Sequence, residues 1–221
     1  MTEYFQKNLF YNISLEEYKH LLGCLNAREK HFTGGETVCS YDQAFHSIGI
    51  LGKGSALVVR YEINGARTIL ERLEPQDIFG QLLSAYQKNP LNGISVVCDE
   101  PCDVLFINYD GISRPCAKAC TYHQQLIQNM LTLISEKAVD LSERVEVLSQ
   151  RTIREKLICF FLQMAGRQKS ESFTLPFTMV DLADYLSIDR SAMTRELKRM
   201  KEEGLIEINR RNIRLYIKAA V

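Results

Sequence analysis

The chain has 221 residues, 46% of them hydrophobic and 24% charged, and its 27 Lys and Arg balance 27 Asp and Glu. That is long enough for one large or two modest domains and ordinary for a globular chain. No apolar run approaches the roughly 20 residues that span a bilayer, and the first seven residues lack the basic-then-apolar layout of a signal peptide, so a cytoplasmic protein with no membrane partner is expected.

The charge is uneven. Residues 1–150 carry 13 Lys and Arg against 18 Asp and Glu, whereas residues 151–221 carry 14 against 9. A basic C-terminal third on an acidic body suits contact with a polyanion. The seven cysteines are an odd number, which argues against a disulfide framework.

Near the N-terminus, Ser14 is placed to cap a helix with Glu16 and Glu17 in its first turn and Leu15, Tyr18, Leu21 and Leu22 on one face. From about residue 28 to 109, short apolar runs alternate with turn residues. The runs are 37–39, 47–51, 56–61, 67–70, 94–98 and 102–107, and Asn64-Gly65 between two of them is a hairpin signal. Many short strands predict a jelly roll, sandwich or barrel. Beyond residue 108 the pattern turns helical. Ile127, Met130, Ile134, Ala138, Leu141, Val145 and Leu148 recur at a mean spacing of 3.5 on a polar helix, a seam suited to a second copy of the chain.

A further helix over about 153–166 is expected to bury Leu157, Ile158, Phe160, Phe161 and Met164 and to stop at Gly166. Thr178 then caps a short helix with Leu182, Ala183 and Leu186 inward, Ser187-Ile188 forms a tight turn, and Asp189 caps a second helix to about Glu202. That second helix is expected to bury Ala192, Met193, Leu197 and Met200 and to expose Arg190, Ser191, Thr194, Arg195 and Lys198. Residues 205–208 and 213–217 follow as a hairpin tipped by Asn209-Arg210-Arg211-Asn212. Helix, turn, cationic helix and basic hairpin make a winged helix-turn-helix, a module that places its second helix in the major groove of double-stranded DNA. Arginine forks suit guanine edges, whereas Lys198, Arg199, Lys201, Arg210 and Arg211, with Thr178 and Thr194 alongside, suit phosphates.

The stretches Thr152–Leu157, Asp181–Leu186, Arg190-Ser191, Arg195-Glu196-Leu197 and Glu203–Ile206 resemble the Crp/Fnr family of bacterial transcription regulators, as do Ile48–Leu51 and Leu73–Gly80 in the β-rich half. The resemblance implies an α+β fold in three parts: an N-terminal β-jelly-roll (double-stranded β-helix) sensor over 1–112, a long dimerisation helix over 113–150 and a winged helix-turn-helix over 151–221. It implies a homodimer, DNA and RNA polymerase as partners, a small-molecule effector and no catalysis. Arg190, Ser191 and Arg195 fall where the family reads bases. Many members have glutamate at the position of Ser191, so the half-site is expected to change there.

The family's effector pocket corresponds to Gly80, Gln81, Asn92, Gly93, Val139 and Asp140. Cyclic-nucleotide binders place Gly-Glu at the first pair and Arg with Ser or Thr at the second. Here Lys88 is the only cation between Gly80 and Asp99, and a buried phosphate without a cation is costly, so the expected effector is not cyclic AMP. An iron–sulfur cluster is not expected, because residues 1–23 contain no cysteine. Cys98 and Cys102, and likewise Cys116 and Cys120, are four apart. A redox- or metal-responsive pair at Cys116 and Cys120, with His123 nearby, is one alternative. A jelly-roll enzyme, or a cyclic-nucleotide-binding scaffold that does not bind DNA, is another. His20, His31 and His46 are isolated, and the chain has no Gly-x-Ser-x-Gly elbow, phosphate loop or His-Glu-x-x-His helix.

Overall fold

The computed structural model describes residues 8–41, 47–62, 65–80, 93–113 and 121–217, and its contacts divide the chain into two units, Met1–Glu136 and Lys137–Val221. In the first unit a 3-10 turn (Asn8–Phe10) leads to α1 (Leu15–Cys24). The Ser14 hydroxyl accepts from the Glu17 N–H while the Glu17 carboxylate accepts from the Ser14 N–H, a reciprocal capping box.

Among the described residues eight strands follow: β1 (Arg28–Phe32), β2 (Thr37–Ser40), β3 (Ser47–Lys53), β4 (Ala56–Tyr61), β5 (Arg67–Leu73), β6 (Ile78–Gly80), β7 (Ile94–Cys98) and β8 (Cys102–Asn108). They form two antiparallel four-stranded sheets, β1-β8-β3-β6 and β2-β7-β4-β5. Consecutive strands mostly alternate between the sheets, as a double-sheet jelly roll requires. β4 and β5 pair as the Asn64-Gly65 signal predicts, although Asn64 itself lies outside the described residues.

The period-2 rule explains why β3 and β8 read as nearly continuous apolar runs. Leu51, Cys102 and Val104 point into a core shared by the two sheets, with Phe32, Cys39, Val58, Leu73, Phe79 and Val96. Ile48, Ile50, Leu105 and Ile107 point the other way, into a second core. That core is closed by α1, by α2 (Tyr109–Ser113) and by the first part of α3 (Thr121–Ser149), through Leu21, Leu25, Ile112, Leu126, Met130 and Leu133. The Asn129 amide of α3 is buried and donates to the carbonyls of Leu9 and Tyr11, tying the N-terminal turn to the helix.

Two expectations change here. Met130 is buried in its own unit's core at 6% exposure, so it is not on the outer face of α3. Leu131, 60% exposed, takes its place, and the outward row becomes Ile127, Leu131, Ile134, Ala138, Leu141, Val145 and half-buried Leu148, with strictly alternating intervals of four and three. The division between units also falls inside α3, not at its ends.

The second unit contains the rest of α3, then α4 (Ile153–Gln168), β9 (Ser172–Thr174), α5 (Met179–Leu186), α6 (Arg190–Glu202), β10 (Ile206–Asn209) and β11 (Asn212–Leu215). Thr152 and Glu155 cap α4 reciprocally. The helix passes through Gly166 and ends at Lys169, whose left-handed φ of 50° closes it, so Gly166 is an internal residue. Leu157, Phe160 and Phe161 are buried as expected, while Ile158 and Met164 are only half-buried. Phe160 meets Phe177 and Tyr185, and Phe161 meets Phe173, at centroid distances of 5.7–6.3 Å. Such ring pairs add about 0.5–1.5 kcal/mol each beyond the area they bury.

The end of α3 belongs to this unit for polar reasons as well. The Arg144 guanidinium lies 4.1 Å from the Tyr185 ring centroid and donates to the Tyr185 carbonyl, and Arg167 of α4 pairs with Asp140 and Glu143.

Candidate nucleic-acid interface

Thr178 opens α5 by accepting from the Asp181 N–H, and its hydroxyl donates to the Asp181 carboxylate at 2.6 Å. Leu182, Ala183 and Leu186 are buried. Ser187, left-handed at φ 53°, turns the chain, and Asp189 caps α6 by accepting from the Ala192 N–H at 2.7 Å. Met193, Leu197 and Met200 fix the inner face of α6, with Ala192 half-buried. The opposite face is left to Arg190, Ser191, Thr194, Arg195, Lys198, Arg199 and Lys201, all exposed.

These side chains are not equally free. Among the described residues Arg190, Lys201 and Arg210 pair with no carboxylate. Lys198 sits 3.7 Å from Glu202 and Arg199 3.7 Å from Glu196, loose surface pairs worth little. The Thr194 hydroxyl donates to the Arg190 carbonyl. The Ser191 hydroxyl donates to Asp189 at 2.6 Å and accepts from Arg195 Nη1 at 3.3 Å. Hydrogen bonds from the Ser191 hydroxyl and the Ala192 N–H hold the Asp189 carboxyl below its usual range.

The wing is a three-stranded sheet, β10-β11-β9, with Asn209 opposite Asn212 across an Arg210-Arg211 turn. Arg211 Nε donates to the Leu175 carbonyl at 2.8 Å, and the Leu175 N–H returns a bond to the Arg211 carbonyl. The tip is therefore anchored to the segment between β9 and α5, and Arg211 has one donor fewer for a phosphate than Arg210.

Sequence reasoning missed one residue that shapes this surface. Arg154, at the start of α4, donates through both terminal nitrogens to Glu203 at 2.8 Å and through Nε to Glu196. It thereby clamps α6 in its middle and at its C-cap, and it neutralises two carboxylates beside the cationic face. Glu196 and Glu203 are seven apart, two turns of one helix face, but no local pattern links them to Arg154.

Known proteins match both halves of the chain. The family profile "Crp-like helix-turn-helix domain" matches residues 155–219, and "Cyclic nucleotide-binding domain" matches residues 29–118. The nitrogen fixation regulation protein FixK of Bradyrhizobium diazoefficiens is 24% identical over 199 residues, which are 88% of this chain and 78% of that protein. Among solved structures, a CooA mutant from Carboxydothermus hydrogenoformans superposes with a TM-score of 0.74 at 17% identity, covering 96% of this chain and 92% of that one. FixK2 from Bradyrhizobium japonicum does so with a TM-score of 0.65 at 18% identity, covering 86% and 93%. The chain belongs to the Crp/Fnr family of transcription regulators.

In this Crp/Fnr regulator the residues expected around an effector are spread over both units. Gly80 and Gly93 lie in the first. Gly80 has φ 102°, a conformation that side chains rarely adopt, and its N–H donates to the buried Tyr41 hydroxyl at 3.0 Å. Gly93 has φ 80°, and a Cβ there would sit 2.6 Å from the Tyr61 carbonyl oxygen. Val139 and Asp140 lie in the second unit. Val139 is exposed, and the Asp140 carboxylate is engaged by Arg167 at 2.6 Å. Gln81 and Asn92 lie outside the described residues.

The thiols of the β-roll are poorly suited to sensing. Burial pushes the Cys39 thiol up to about 12, and burial likewise raises Cys98 and Cys102. Cys102 Sγ is spent on the carbonyls of Ser55 and Glu100. Cys116 and Cys120, the pair considered as a redox or metal centre, lie outside the described residues, as does His46. His123 is buried against the Ile112 carbonyl, and His31 pairs with Asp103. Because the thiolate is the nucleophile, Cys39 in the native protein should be alkylated at pH 8 orders of magnitude more slowly than an ordinary thiol, and exposed Cys24 should react before Cys39, Cys98 and Cys102. Peptide mapping after timed iodoacetamide labelling measures this, and early modification of Cys39, Cys98 or Cys102 would contradict it.

Proposed function

We propose that the protein is a homodimeric regulator that sets the N-terminal end of α6 in the DNA major groove, with Arg190, Ser191 and Arg195 at the reading end. Thr178, Thr194, Lys198, Arg199, Lys201, Arg210 and Arg211 line the phosphates on either side. In this reading residues 1–112 sense, 113–150 join two copies and 151–221 read DNA. The observation that carries it is a capped helix whose outward face bears five cations, Arg190, Arg195, Lys198, Arg199 and Lys201. The positive end of its dipole adds to the attraction for phosphate. It works in the cytoplasm with RNA polymerase as partner and catalyses no reaction.

The effector is a small molecule other than cyclic AMP, taken by the first unit in the region of Gly80 and Gly93. The poverty of cations between Gly80 and Asp99 supports this, and an Asp140 already paired with Arg167 is a weak direct ligand. Electrophoretic mobility shift on genomic fragments, with and without cyclic AMP, tests both statements. Sequence-selective retardation unchanged by the nucleotide is expected. Absence of selective binding, or a large gain of affinity with cyclic AMP, would overturn the respective half.

A further inference from the structure

We propose that Ser191 is a positioning residue for Arg195 and not itself a base reader. It is the middle of a hydrogen-bonded chain that runs from the Arg195 guanidinium through the Ser191 hydroxyl to the Asp189 carboxylate. The inference rests on Arg195 being a base-reading residue.

A hydroxyl has one proton and two lone pairs. The Ser191 proton is given to a carboxylate at 2.6 Å, a charge-assisted bond about twice as strong as a neutral one. That carboxylate is itself pinned by the Ala192 N–H at 2.7 Å, so it cannot follow a competing base edge without uncapping α6. Ser191 therefore has no donor left for the acceptors of guanine or thymine. One of its lone pairs is taken by Arg195 Nη1.

The spacing i, i+4 stacks the two side chains on one face of α6, which is why the contact exists at all. Its use lies in entropy. An arginine loses considerable rotamer freedom when it docks on a base, and a side chain held beforehand loses less on binding. Arg195 keeps its other N–H groups, enough for the two parallel donors that a guanine edge requires. A serine at this position thus sharpens the preference of its neighbour, while its own remaining lone pair accepts from any exposed N–H and discriminates little.

The test is binding-site selection and competition binding with the full-length wild type and with Ser191→Ala, Ser191→Thr and Arg195→Ala. Ser191→Ala should weaken discrimination at the same base pair as Arg195→Ala, by roughly fivefold, the scale of one side-chain hydrogen bond. The salt dependence of binding should stay at the wild-type slope, because no phosphate contact is lost. Ser191→Thr, which keeps the hydroxyl, should restore the preference. A change at a different base pair in Ser191→Ala would show that Ser191 reads DNA directly and would overturn the proposal, as would an unchanged preference at the Arg195 base pair. If Arg195→Ala itself leaves every preference intact, the base-reading assignment fails first and the proposal falls with it. The Ala192 N–H still holds Asp189 in Ser191→Ala, so the helix cap survives the substitution.

Discussion

Leu141→Glu should convert the protein to monomers at micromolar concentration and abolish tight binding to a two-fold-symmetric site. Leu141 is 56% exposed on α3, in a row with Ile127, Leu131, Ile134, Ala138 and Val145. A row of this size left in water is costly, since each large aliphatic gains about 1.5–3 kcal/mol when fully buried. The alternating intervals of four and three are those of a two-stranded coiled coil. In a parallel symmetric pairing the same residue from each copy meets at the axis. The variant therefore places two carboxylates opposite each other in an apolar seam, and an uncompensated buried charge costs several kcal/mol. Because Leu141 is exposed within one chain, the substitution should leave the monomer folded, which circular dichroism checks independently. Sedimentation equilibrium reads the outcome, and an unchanged dimer would sink the seam. Met130→Glu should behave differently, unfolding the first unit, because Met130 is part of that unit's own core.

The contrast between Leu131 and Met130 shows where the sequence ran out. Both are apolar, adjacent and compatible with a heptad within one residue of slack, and periodicity cannot say which faces a sheet of the same chain. The elements that were legible carry local signals: Ser14, Thr178 and Asp189 all cap, and the Arg210-Arg211 tip turns where expected. β1 (Arg-Glu-Lys-His-Phe) was hidden because four of its five residues face water at a sheet edge, so no apolar alternation marks it. β9 buries a single residue, Phe173, and exists only because β11 pairs with it. In the candidate interface the cationic face was legible from composition and spacing. The Arg154 clamp and the chain through Ser191 were not, because the first joins residues more than forty apart and the second depends on which rotamers the cap allows.

Alanine at Arg190 or Arg195 should change what the protein reads, whereas alanine at Lys198 or Arg210 should change only how tightly it holds. Arg190 is the first residue of α6 and Arg195 lies five further on, a rotation of about 500° that leaves both on one broad outward face near the groove-entering end. A bidentate arginine–guanine contact is worth about 1–3 kcal/mol of discrimination, so each variant should relax preference at one base pair per half-site by about tenfold or more. Lys198 stands two turns into the helix beside Glu202, and Arg210 sits at the wing tip, pairing with no carboxylate among the described residues. Phosphate contacts carry no sequence information, so Lys198→Ala and Arg210→Ala should weaken binding to all sequences about equally and lower the salt slope by about one unit each. Arg211→Ala is a poorer probe of the same idea, since it also frees the wing from the Leu175 carbonyl. Binding-site selection on the variants at fixed salt, followed by affinity measured across a salt series, separates the two classes. If Arg190→Ala and Arg195→Ala keep the wild-type consensus while Lys198→Ala alters it, α6 enters the groove by its other end and the reading face is misassigned.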